Sequence, residues 1–247
     1  MSGTSSSKLL SFWLQILSLL GLGLIPLIVL RSMIGTPSFV SQPQFVGLVF
    51  IIICLLGAVV GVRPTRFSRS KPRKSKQMEY DDSRITEELP REHILRGHHY
   101  SCDPFSDHVL QVGNRFFCAG CTGLTTGAII AIMGSIPYFF LGYVFFNAHI
   151  VFWSGFSGVL VGLVQHRIYR VTTIRSGFFR FSLNVIFVVG AFFLLVGANQ
   201  MAGYLAVDIF ILCVILLWIL NRIMMSKAEH EQICKQCGDA TCIHPIC

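Results

Sequence analysis

The chain has 247 residues, of which 53% are hydrophobic and only 13% charged, with a formal net charge of +8. A soluble domain carries about 25% charged residues, so the surface of a water-soluble fold is missing; disorder of the low-hydrophobicity kind is excluded by the same figures. The mean hydropathy of +0.65 points to an integral membrane protein, and at about 20 apolar residues per crossing the composition supplies roughly six transmembrane helices.

The first apolar run extends from Leu9 to Leu30 and ends at Arg31. It is too long for the apolar core of a signal peptide and no small-x-small cleavage site follows, so a retained span is expected. A turn containing Gly35, Pro37 and Pro43 leads to a second run, Phe45 to Val62, and residues 1–62 are predicted to form a transmembrane hairpin. Residues 63–92 make a charged linker, basic over Arg63–Lys76 and acidic over Glu79–Glu92. Its composition predicts a solvated, disordered segment whose basic part draws anionic headgroups. A Cys/His loop occupies 93–121. Four more runs follow, Thr122–Phe146, Ile150–Tyr169, Gly177–Gly197 and Tyr204–Met225, giving a predicted four-span bundle over 122–225. A Cys-rich tail, 226–247, closes the sequence, and no span is expected to depend on it.

The runs are continuous rather than alternating, which fits helices and not barrel strands. The expected fold is therefore an all-α, polytopic transmembrane helical bundle of about six spans. The pairs Gly123/Gly127 and Gly158/Gly162 recur at one-turn spacing. They suit close helix approach, although glycine is common in membrane helices for no such reason. Trp13 and Trp153 are better placed than Trp218 as interfacial anchors.

Orientation follows from the bases that flank the spans. Arg63, Arg66, Arg69, Lys71, Arg73, Lys74 and Lys76 follow the second span; Arg167, Arg170, Arg175 and Arg180 lie around the fourth connection; Arg222 and Lys227 end the sixth. A cytoplasmic N-terminus puts every group on the cytoplasmic side, with Arg31 the one base left opposite. The expectation is a multi-pass protein of the cell membrane with both termini cytoplasmic, having membrane lipids and other membrane subunits as partners. The pI of 9.2 does not call for nucleic acid, because the positive-inside pattern already accounts for the basic excess.

Nine cysteines are unevenly placed. Cys54 and Cys213 fall inside spans, where cysteine is ordinarily a small core residue. The other seven lie in segments assigned to the reducing cytoplasm, where metal ligation is favoured over disulfides. The first group is His98, His99 and Cys102 followed by Cys118-Ala-Gly-Cys121. Two thiolates at this spacing suit one tetrahedral ion, and Cys102 with one of His98, His99 or His108 completes a Cys3His zinc site. Unligated thiols are the bland alternative, and a thioredoxin-type redox pair lacks its βα context. The second group is Cys234, Cys237, Cys242 and Cys247, with Gly238 directly after the second cysteine. Its spacing resembles the zinc knuckle, with Cys242 where the knuckle has histidine. The resemblance implies metal ligation by the four cysteines; RNA binding does not carry over, because the tail has no aromatic residue to stack on a base. Zinc is the expected ion, and an iron–sulfur cluster is disfavoured by spacing that departs from the ferredoxin run. One composite site shared by loop and tail is the third arrangement.

Cys118-Ala-Gly-Cys-Thr-Gly123, at the entry to a span and preceded by a His/Cys loop, resembles an uncharacterised family of prokaryotic membrane proteins. Their signature reads approximately Cys-His-Gln and then Cys-Ala-Arg-Cys-Thr-Gly. The resemblance covers roughly residues 98–200 and rests on Cys102, Cys118, Cys121, Thr122 and Gly123. Asp103-Pro104 replaces the family's His-Gln and Gly120 its arginine, which leaves His98 and His99 to stand in for the missing histidine. The family implies no activity.

Ionisable residues inside spans are functional candidates by default. Asp208 lies about one turn in from the outer face and Arg180 about one turn in from the inner face, on opposite leaflets. No acid occupies a midplane, which disfavours a proton-coupled transporter. Arg180 is expected to snorkel to the headgroups. Gln165, His166, Arg167, Arg180 and Asn184 crowd the inner half of the fourth and fifth spans, as a polar pocket or as ordinary interfacial flanks. The leading expectation is a zinc-stabilised subunit or scaffold. The enzymatic alternative is a catalytic zinc acting on a lipid or amphiphile at the inner leaflet, with Asp103, Asp107 or His108 as general base.

Overall fold

A computed structural model describes residues 3–34, 41–67, 108–112, 115–144, 147–171 and 176–237. The described residues are almost entirely helical: α1 (Gly3–Ser32), α2 (Pro43–Phe67), α3 (Ala119–Ser135), α4 (Ala148–Val171), α5 (Gly177–Ala202) and α6 (Leu205–Cys237). One antiparallel hairpin, β1 (Val109–Val112) and β2 (Arg115–Cys118), runs directly into α3.

Five stretches are long and apolar enough to cross a membrane: Leu9–Ser32, Ala119–Phe140, Ala148–Gln165, Gly177–Ala202 and Leu205–Ser226. The apolar stretch Pro43–Val59 lies within α2, a helix of 25 residues, where the second span is expected. The bundle is also apolar on its outside. Leu24, Leu27, Ile129, Met133, Leu216 and Leu220 are exposed, while Ser18, Ser135, Asn184, Asp208 and Asn221 are buried. Water would not tolerate so large an apolar exterior, whereas hydrocarbon would, and this distribution fits a multi-pass membrane protein.

The centre of the bundle is α5, packed chiefly against α4 and α3; α2 lies on α3, and α1 on α6. The contact with α4 is made backbone to backbone. A Cβ at Gly155 would collide with the Leu194 amide of α5, one at Gly158 would stand 3.1 Å from the Ile186 carbonyl oxygen, and one at Gly197 would press on the backbone of Phe152. Gly123 and Gly127 bring α3 equally close to Phe181 and Val185 of α5. Both glycine pairs singled out in the sequence are thus contact surfaces. Trp218 is fully buried, with its Nε1 donating to the Ser18 carbonyl at 3.1 Å, whereas Trp13 and Trp153 are exposed.

Helix ends follow local chemistry. Ser176 caps α5 by accepting from the Phe179 amide at 3.2 Å, and the helix stops at Gly203, whose φ of 65° is the left-handed conformation open to glycine. At the far end of α3, Pro137 lacks the amide needed to continue the α ladder, and Ile136–Phe140 widens into a π turn. That turn carries both Tyr138 and Phe139 into the interior.

Replacing Gly155 by alanine overpacks the α4–α5 seam, at a cost of about 1–3 kcal/mol, whereas Gly57, with no atom within 4 Å of its Cβ position, should accept alanine. In detergent-purified protein the first variant is expected to lose about 2–12 °C of unfolding temperature and the second none. Equal behaviour of the two would refute backbone contact as the basis of the seam.

Candidate functional site

The Cys-x-x-Cys pair sits where β2 becomes α3. Val109 of β1 pairs with Cys118 of β2, so the hairpin closes next to the helix start. Cys118 is extended (φ −68°, ψ 120°), and its carbonyl accepts from Thr122 Oγ1 at 2.8 Å. Gly177 lets the hairpin rest on the first turn of α5, since a Cβ there would collide with the Val109 carbonyl. Cys118 and His108 are buried and Cys121 is half-buried. A Cβ at Gly120 would lie 3.9 Å from Asn184 Nδ2 and 4.0 Å from Cys118 Sγ. A side chain at this position would thus stand in ordinary contact with both.

Asn184 organises this end of the bundle. Its Nδ2 donates to the Arg180 carbonyl at 2.7 Å, and its Oδ1 accepts from Arg222 Nη2 at 2.7 Å. The Arg222 guanidinium carbon also stands 4.9 Å over the Phe187 ring, a cation–π contact in a low-dielectric setting. Arg180 does not simply snorkel: its Nη1 pairs with Glu229 Oε2 at 2.8 Å, the two side chains being 15% and 20% exposed. This partner exists because α6 does not end with its apolar run near Met225 but continues as helix to Cys237. The beginning of the tail thus meets α5 through this ion pair. Deeper in, Gln15 Nε2 donates to the Leu163 carbonyl at 2.9 Å and Asn221 Nδ2 donates to Gln15 Oε1 at 3.1 Å, joining α1, α4 and α6.

Of the sequence-predicted ligands, Cys118 and Cys121 meet at the strand–helix junction, and Cys234 and Cys237 occupy the C-terminal end of α6. His98, His99, Cys102, Cys242 and Cys247 lie outside the described residues, as do Asp103 and Asp107. Among the described residues, no three His, Cys, Asp or Glu side chains come together in a group that would hold a metal ion. Cys54 is buried as expected, but Cys213 is exposed on the outer surface of α6 and is not a core residue. Gln165 is buried, and His166 and Arg167 are on the last turns of α4.

A second polar group, absent from the sequence reading except for its acid, lies at the opposite end of the bundle. Asp208 Oδ2 accepts from Ser41 Oγ at 2.5 Å and from Asn199 Nδ2 at 2.8 Å. Asn199 Nδ2 also donates to Ser41 Oγ at 2.7 Å, and Asn199 Oδ1 accepts from the Tyr138 hydroxyl at 2.9 Å. The Ser41 amide donates to the Gly203 carbonyl at 2.8 Å. Four parts of the chain converge here, through pairs up to 167 residues apart, a separation that no local motif encodes.

Compared with protein-family models, with curated proteins and with solved structures, the chain matches none.

The Asn184–Arg222 bond predicts strong coupling. Asn184→Leu and Arg222→Met should each destabilise the purified protein, and the double variant should lose less than the sum, with an interaction energy of about 1–3 kcal/mol in a double-mutant cycle. Simple additivity would show that the two side chains act separately.

Proposed function

We propose that this chain is a multi-pass protein of the cell membrane whose cytoplasmic end bears zinc-stabilised Cys/His elements, and that it serves as a structural or scaffold subunit of a membrane complex. The observation that carries this reading is the position of Cys118 and Cys121, at a hairpin–helix junction wedged against α5, on the end of the bundle that also holds Arg180 and Arg222. A Cys-x-x-Cys in such a junction is built to fix a loop rather than to present a reactive thiol. Cys102 with His98 or His99 completes the loop site in this reading, and Cys234, Cys237, Cys242 and Cys247 form the tail site. Zinc in such closed sites is structural, contributing folding energy to the segment that it holds. The base-rich linker Arg63–Lys76 then lies on the anionic cytoplasmic leaflet, and both termini face the cytoplasm.

Metal analysis of protein isolated without chelator tests the reading. Two independent sites predict about two equivalents of zinc in the wild type and the loss of about one in either Cys118→Ser or Cys237→Ser. A single composite site predicts about one equivalent, lost in both variants. Metal-free protein with reduced thiols would reject zinc altogether.

Topology is tested separately. Cysteine labelling in intact cells should report residue positions near 70 and 240 as cytoplasmic and positions near 38 as external. An external signal from the tail would reverse the orientation and remove the reducing compartment on which thiolate ligation depends.

A further inference from the structure

The polar group at the non-cysteine end contains an acid whose charge the protein leaves unbalanced. Asp208 is 0% exposed, and its Oδ1 is buried with no hydrogen-bond partner. The donors of Ser41, Asn199 and Tyr138 are aimed elsewhere, and Gln200 Nε2 is buried with no partner of its own. The Ser41 hydroxyl and the Asn199 amide both serve Oδ2, and the Tyr138 hydroxyl serves Asn199 Oδ1.

Among the described residues, no positive side chain forms an ion pair with Asp208, and Arg180 pairs with Glu229 at the other end. The elements packed around Asp208 present neutral groups: Ser41 from the lead-in to α2, Asn199 and Gln200 from α5, and Tyr138 from the π turn, with Tyr204 half-buried just ahead of α6. Arg31 of α1 and His149 of α4 are exposed. The adjoining segments 35–40 and 145–146 contain no basic residue. An ionised carboxylate buried this way without a counter-charge is prohibitively costly, and a positive charge taken up from solution relieves that cost.

We propose that Asp208 binds a small monovalent cation, H⁺ or Na⁺, at Oδ1, with Ser41, Asn199 and Tyr138 holding the carboxylate in position. The hydrogen-bond inventory suits either ion. Two donors fix Oδ2, so the open lone pairs belong to Oδ1. The Ser41 and Tyr138 hydroxyl hydrogens are already committed, which leaves oxygen lone pairs, the ligands a hard cation takes, within the same cluster. The site joins the connection ahead of α2, the end of α3, the end of α5 and the start of α6, so occupancy stabilises the closed packing of these four elements. It does not depend on zinc at the cysteine end. On α6, the buried Ile211 and Ile215 stand between Asp208 and Asn221.

The test uses full-length protein in detergent, following unfolding temperature against Na⁺ at constant ionic strength, with N-methylglucamine as the replacement ion, and against pH between about 5 and 9. If Na⁺ is the ligand, the unfolding temperature rises with the logarithm of Na⁺ concentration, and more steeply at high pH, where protons compete less. If H⁺ is the ligand, it rises as pH falls and ignores Na⁺. Asp208→Asn, which keeps the shape and one oxygen but removes the charge, should flatten the relevant dependence. Ser41→Ala should keep the dependence but move its midpoint by about tenfold in cation concentration, because it removes a hydrogen bond to the charged oxygen. A wild type insensitive to both ions, an Asp208→Asn variant that tracks the wild type, or a Ser41→Ala midpoint equal to the wild type would each overturn the proposal. The Ser41→Ala measurement stands alone if Asp208→Asn does not fold.

Discussion

The whole bundle rests on how near α5 can come to its neighbours. Hydrocarbon is as apolar as a leucine side chain, so helices in it gain little by hiding apolar surface and must be held by close packing and internal hydrogen bonds. Gly155, Gly158, Gly190 and Gly197 bring the α4 and α5 backbones into contact, and Gly123 and Gly127 do so for α3. With α5 fixed from two sides, its polar residues at either end become reference points: Asn184 near the hairpin and Asn199 near the π turn. Two of the polar groups among the described residues are arranged around these asparagines.

The two ends solve opposite electrostatic problems. Near Asn184 the buried charge is positive, and Arg222 is met by a neutral amide oxygen and an aromatic face, while Arg180 has an acid of its own. Near Asn199 the buried group is a carboxyl, to which neutral donors from Ser41 and Asn199 bond. Asparagine serves in both places because one amide offers an acceptor and two donors in a fixed plane. Between the ends the core is aliphatic and aromatic, with Leu194, Leu195, Ile211 and Phe187 buried together.

Much of this was legible in the sequence, and the limits have physical causes. Hydropathy located the apolar helices because each is a local, continuous property of the chain. Glycine spacing located the contact surfaces for the same reason. Hydropathy located the apolar run of α6 but not the helix beyond it, because the helix continues into charged residues that are helix formers without being apolar, and the Arg180–Glu229 pair lies in that continuation. It treated Cys213 as a core residue because burial depends on which way a helix faces, and an all-apolar helix carries no periodic signal of that. Asp208 was recognisable as an oddity, but its partners Ser41, Asn199 and Tyr138 are ordinary residues that acquire meaning only when the fold gathers them. The Cys/His motifs remain a matter of spacing, since only Cys118, Cys121, Cys234 and Cys237 belong to described elements.

The pairing of α1 with α6 bears on the order in which the molecule is built. Gln15 meets Asn221 across 206 residues, and Ser18 meets Trp218 across 200. α1 therefore finds its main partner only in α6, roughly 10–40 s of synthesis later. During that interval Gln15 and Ser18 have no side-chain or indole partner from α6, while α3, α4 and α5 already possess the glycine faces that let them associate. Assembly is thus expected to start from α3, α4 and α5 and to finish by joining α1 to α6, whose arrival closes the bundle.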